Sequence, residues 1–453
     1  VNRLAKALWL RYAPDLHFEL QQCRDEGKDV RGLAERIAAI QSMSEHDPQR
    51  ELQAAQLLDE TASLPVRDDF PYHEPSDLPA IQAARPPGPH RLPVALDDSV
   101  LFDKIYGAWL GRCAGCLLGK PVEGWPRRRL VDFNRAIGNY PIRAYMSSQH
   151  PQEIRQRFDL QDTWWDGEPV PWINNVAGAP ADDDTNYTLI ALKVLERYGH
   201  EFTPLDVAST WLESLPILQT YTAERVAYRN LSMLIPPPAS AVHRNVYREW
   251  IGAQIRGDLY GYINPGQMEA AASMAWRDAS LSHIKNGIYG AMWVAAMLAA
   301  AYTTTDIPTI IRLGLGEIPA QSRLAAAIKQ VLHWREAGLT WEQALDCVHE
   351  QWDETNPYHW CHVIPNAMIV TIGLLYGEGD LGRSIGIAVS GAFDTDCNGA
   401  TVGSIVGLLR GAKALPEKWT APLADLLHSH VLGFAKTPIS ELAQRTTRLV
   451  RLR

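Results

Sequence analysis

The chain has 453 residues, enough for one large domain with an appendage or for two or three ordinary domains, and its 46% hydrophobic and 21% charged residues exclude a disordered chain. A formal net charge of -9 argues against a partner such as duplex nucleic acid, which is gripped through Lys and Arg on phosphates. The longest uninterrupted apolar run, Ile288 to Tyr302, falls short of the ~20 residues that a bilayer crossing needs, so no membrane partner is expected.

In chain order, residues 1–64 read as a helical appendage, with apolar positions such as Leu4, Leu8, Leu33, Ile37 and Ile40 among many charges. Prolines then recur at 65, 71, 75, 79, 86, 87, 89 and 93. Each fixes φ and removes an amide donor, so 65–96 is expected to be a linker or strap that carries neither helix nor sheet. From 97 to 453 the texture becomes apolar-periodic segments broken by Gly, Pro and Asn, which predicts an all-α domain. Helices are expected over 101–118, 184–199, 204–214, 267–277, 286–302, 321–336, 341–352, 363–376, 381–390 and 399–412. The six cysteines are scattered, and no N-terminal stretch combines basic, apolar and small-residue regions, so a reducing cytoplasm is expected. Cys113 and Cys116 have Cys-x-x-Cys spacing but lie inside a predicted helix, where small buried residues are the simpler reading.

Glycine falls at 107, 111, 115 and 119, and again at 399, 403, 407 and 411. A helical Gly costs about 0.8–1.0 kcal/mol relative to Ala, so four on one face need compensation, and close approach of another backbone supplies it. Gly287, Ala291, Ala295 and Ala299 continue the pattern. Three tightly packed central helices are expected.

Chemistry concentrates at the ends of these helices. Asp182, Asp183 and Asp184 precede one helix; one or two acids there would serve as caps, but three adjacent carboxylates repel one another. Asp394 and Asp396 stand two apart before the second glycine helix, in Gly391-Ala392-Phe393-Asp394-Thr395-Asp396-Cys397. Hard divalent cations take oxygen ligands, and two-ion sites draw carboxylates from more than one segment. Glu123 follows the first glycine helix, in Gly119-Lys120-Pro121-Val122-Glu123. His359, His362 and Asn366 form a polar cluster ahead of an apolar helix, and Trp164, Trp165 and Trp172 either stack on a base or form a local loop core.

These three acidic pieces, in this order, resemble the ADP-ribosylglycohydrolase family. The resemblance implies a compact orthogonal all-α helical bundle around two Mg²⁺ or Mn²⁺ ions, with an extra helical segment at the N-terminus. It implies Asp182, Asp183, Asp184, Asp394 and Asp396 as metal residues, Glu123 and Asp184 as catalytic residues, and His283, Asn366 and Gly391 as substrate-binding residues. Asp182 stands where the family carries a ligating Thr, and Cys397 where Thr follows the last Asp. The implied activity is hydrolysis of a ribosyl N- or O-glycosidic bond in a small-molecule or protein-linked ADP-ribosyl or ribosyl substrate. A nucleoside or other small furanoside on the same fold, or a non-catalytic crystallin-like relative, is the alternative. Oligomerisation stays open.

Overall fold

The computed structural model describes residues 8–164 and 167–451. Trp165, one of the three loop tryptophans, lies outside them. Among the described residues the fold is helical apart from a short antiparallel hairpin, Leu426–His428 against Lys436–Pro438. The ten expected helices of the main domain are all present, most within a few residues of their expected ends. The last of them begins at Thr395 rather than 399, because Asp394 already occupies its N-cap position.

The two glycine helices, Asp98–Gly119 and Thr395–Arg410, run antiparallel in direct backbone contact. A Cβ added at Gly111 would sit 2.0 Å from the Gly403 carbonyl oxygen, and one at Gly115 would sit 1.9 Å from that of Gly399. The contact is reciprocal, since a Cβ at Gly407 would lie 2.1 Å from the Gly107 carbonyl oxygen. Gly411 meets the interlock through its backbone, its carbonyl carbon lying 2.7 Å from a Cβ added at Gly107, and its φ of 76° ends the helix. Gly111→Ala is expected to lose about 2–3 kcal/mol, because overpacking against an immovable backbone outweighs the ~1 kcal/mol gain in helix propensity. A urea-denaturation midpoint unchanged from wild type would refute the interlock.

The third small-residue helix, Lys285–Ala300, does not complete a trio with these two. Its alanines meet Gly257 and Gly261 instead: a Cβ at Gly257 would lie 2.5 Å from the Ala291 carbonyl oxygen, and one at Gly261 would lie 2.7 Å from that of Ala295. The spacing announced a close approach without naming the partner.

The appendage forms helices Leu16–Asp25, Leu33–Ser42 and Pro48–Ala62. Their apolar faces share a second core with Val226, Tyr247, Trp250 and Tyr358 of the main domain. The strap was expected to hold no helix, yet Leu78–Ala84 is one. Pro79 falls in its first turn, where no amide donor is needed, and Asp77 caps the Ala80 amide. Trp172 is buried against Trp125 and Phe133, which makes it part of the local loop core.

Candidate functional site

The antiparallel interlock puts the end of the first glycine helix beside the start of the second. Gly119 touches the Thr395 backbone so closely that an added Cβ would lie 2.2 Å from its carbonyl oxygen. The Thr395 hydroxyl donates to the Gly119 carbonyl at 2.9 Å. Lys120 and Glu123 are thereby delivered to Asp394 and Asp396.

Asp394 is aimed by an unusual piece of backbone. Ala392 and Phe393 both take positive φ, 55° and 54°, a conformation that side chains with a Cβ rarely adopt. Such strain persists only where surrounding contacts hold it. Here the holder is Asn366: its Oδ1 accepts from the Asp394 amide at 3.2 Å and from the Asn398 side chain at 2.7 Å. Its Nδ2 donates to the carbonyls of Trp360 and His362, both at 2.9 Å. Asn366 is thus a buried clamp whose amide is spent inside the protein. Gly391 is similarly engaged, its carbonyl accepting from His349 Nε2 at 2.9 Å.

The other acidic cluster starts helix Asp183–Tyr198. Asp182 caps it, Oδ1 accepting from the Asp184 amide at 2.9 Å while Oδ2 takes the ammonium of Lys120. Arg112, fully buried in the first glycine helix, grips Asp184 through both its backbone carbonyl, at 2.7 Å, and its carboxylate, at 3.2 Å. The same guanidinium pairs with Asp258 at 2.9 Å. Asp183 and Glu123 are half-buried beside these groups.

Electrostatics follow from this crowding. Burial, then the neighbouring aspartates, push Asp183 and Asp184 well above the usual carboxylate range. Burial, Asp396 and Glu123 do the same to Asp394. Burial also raises Asp182, but Lys120 and the Asp184 amide outweigh it and hold this carboxyl at about 2. Glu123 is pushed up to about 8 by burial and Asp396, against the pull of Lys120.

Two groups of ligand atoms lie within 4.8 Å of one another: Cys116 with Asp182 and Asp184, and Asp394 with Asp396 and Cys397. Among the described residues, Asp184 Oδ2, Asp394 Oδ1 and Asp396 Oδ1 are buried without a hydrogen-bond partner. Buried anionic oxygens left unpaired are costly, and a hard divalent cation satisfies them. The thiols suit that role poorly. Burial and the surrounding carboxylates push Cys116 and Cys397 well above the ordinary thiol value, and a protonated sulfur is no ligand for Mg²⁺.

His283 is placed elsewhere. It is fully buried, with Nδ1 2.8 Å from the Ser282 hydroxyl and 3.9 Å from Glu224, and burial holds it well below its ordinary pKa. None of these contacts is with the acidic clusters. Sequence reasoning passed over Lys120, Arg112, Asp258, His349 and Cys361, the last with Sγ 3.9 Å from Asp394 Oδ2. Arg112 alone carried a local signal, a charge inside an otherwise small and apolar helix face.

The family model for ADP-ribosylglycohydrolase matches residues 97–453. A solved structure described as an ADP-ribosylglycohydrolase-related protein complex is similar at 19% identity and a TM-score of 0.47, over 78% of this chain and 99% of that one. A search of curated proteins found no match. The family match spans well over half of the chain and includes the glycine helices and both acidic clusters; the chain belongs to the ADP-ribosylglycohydrolase family.

Proposed function

We propose that the chain is a metal-dependent hydrolase that cleaves a ribosyl N- or O-glycosidic bond, with an ADP-ribosyl adduct as substrate. The observation that carries this reading is the set of buried, unpartnered carboxylate oxygens on Asp184, Asp394 and Asp396 at the meeting point of three helix ends. These residues, with the half-buried Asp183, would hold Mg²⁺ or Mn²⁺. When bound, such ions supply Lewis acidity and orient ribose hydroxyls.

The chain's own groups do the rest. Glu123 sits at the edge of the cluster with a carboxyl raised to about 8, which suits a group that exchanges protons near neutral pH. It takes a proton from the attacking water as the glycosidic bond opens through an oxocarbenium-like transition state. Added positive charge beside it favours its ionised, basic form. Arg112 keeps Asp184 oriented, and Asn366 keeps Asp394 oriented, so the carboxylates need no rearrangement. No covalent nucleophile is required.

The test is release of free ADP-ribose from an ADP-ribosylated protein, measured with Mg²⁺ or Mn²⁺ and after chelation. Release that chelation abolishes is the expected result. Cleavage of nucleosides but not of ADP-ribosyl adducts would move the substrate to a small furanoside, and inactivity on both would overturn the reading.

A further inference from the structure

Lys120 is the one cation, among the described residues, whose ion pairs reach both acidic clusters. Its Nζ contacts Asp182 Oδ2 and lies 3.8 Å from Asp396 Oδ2, while its side chain keeps 20% exposure. Its backbone has little freedom to withdraw. Gly119 is pressed against Thr395, and the chain turns at once through the short helical turn Lys120–Val122. An ammonium is therefore held between the two aspartates by the same interlock that brings the clusters together.

This arrangement divides the carboxylates unequally. Both oxygens of Asp182 are spoken for, Oδ1 by the Asp184 amide and Oδ2 by Lys120. The unpartnered oxygens belong to Asp184, Asp394 and Asp396. A second cation beside Asp182 would need that carboxylate, and Lys120 already neutralises it. Two cations near one carboxylate repel each other, and a divalent ion beside an ammonium does so twice as strongly as a second ammonium would.

We infer that Lys120 is a built-in cation that takes the place of one of two divalent ions, leaving a single tight divalent site on Asp184, Asp394 and Asp396, with Asp182 serving as the lysine's partner. The inference rests on the reading of this cluster as a metal centre. It makes Lys120 a residue that sets metal stoichiometry. Lys120→Met frees Asp182 Oδ2 and leaves a buried carboxylate uncompensated, which a second divalent ion then satisfies.

The experiment is titration of the chelator-treated full chain with Mn²⁺, counting free ion by electron paramagnetic resonance. Wild type is expected to bind one Mn²⁺ tightly. Lys120→Met is expected to bind two, or to tighten the second ion by about tenfold or more, while Lys120→Arg stays at one. Two tight ions in wild type would overturn the inference and leave the metal reading standing. So would a single ion in both wild type and Lys120→Met. No binding to either protein would overturn both readings together. If Lys120→Met fails to melt cooperatively, Lys120→Gln replaces it, and the wild-type count decides by itself whether one place is filled.

Discussion

Asp396→Ala is expected to lower the hydrolysis rate by about 10³-fold or more, since loss of a metal's charge stabilisation removes several kcal/mol from the transition state. The fold should not suffer. Asp396 is raised above the usual carboxylate range by burial and by Asp182, so in the metal-free protein its removal relieves repulsion. Its attraction to Lys120, at 3.8 Å, is the smaller loss because the ammonium keeps Asp182. Far-ultraviolet circular dichroism should therefore match wild type, and the metal-free melting temperature should hold or rise. A ligand that binds only the folded state raises that temperature by mass action, so the increment on adding Mn²⁺ should shrink in the variant. An undiminished increment together with full activity would show that Asp396 holds no ion.

Removal of residues 1–96 is expected to prevent stable folding, an effect larger than any single substitution considered above. Arg248 is buried, and its partners Glu19, at 2.7 Å, and Glu26, at 2.6 Å, both come from the appendage. Arg323 would keep Glu249 but lose Glu74 of the strap, at 2.8 Å. Breaking a buried pair by deleting one partner costs about 3–5 kcal/mol, and the deletion also uncovers Trp250, Tyr247 and Tyr358. Set against a total stability of about 5–15 kcal/mol, that leaves little. The damage reaches the site as well. The Tyr358 hydroxyl lies 3.0 Å from two acceptors, Gln22 Oε1 and Asp25 Oδ2, that share its one proton, and this anchors the segment whose carbonyls hold Asn366 and, through it, Asp394. A truncated protein that melts cooperatively near the wild-type temperature would show that the appendage is a mere attachment.

Much of the fold was legible because helices write themselves locally. An apolar repeat near 3.6 residues, a cap such as Thr203 with Asp206 or Thr340 with Gln343, and a breaker after the last turn lie within a dozen residues of each other. Where that local pattern was weak, the reading failed. No helix was expected over Arg127–Ala136, which opens on three arginines, or over Ile439–Arg451, which carries Arg445, Arg448 and Arg451, although both bury one apolar face.

The candidate site divides along the same line. The amino-acid sequence alone determined that acidic groups cluster at 182–184 and 394–396 and that two helices carry glycine every fourth residue, because both are matters of adjacency and period. Only the tertiary structure decided that Gly111 meets Gly403, that Lys120 reaches Asp182, that Arg112 holds Asp184 against Asp258, and that Asn366 is spent as a clamp on Asp394. These pairs join residues far apart in the chain. Which backbone fills a glycine groove, and which buried charge neutralises another, depends on three-dimensional packing that no local spacing encodes.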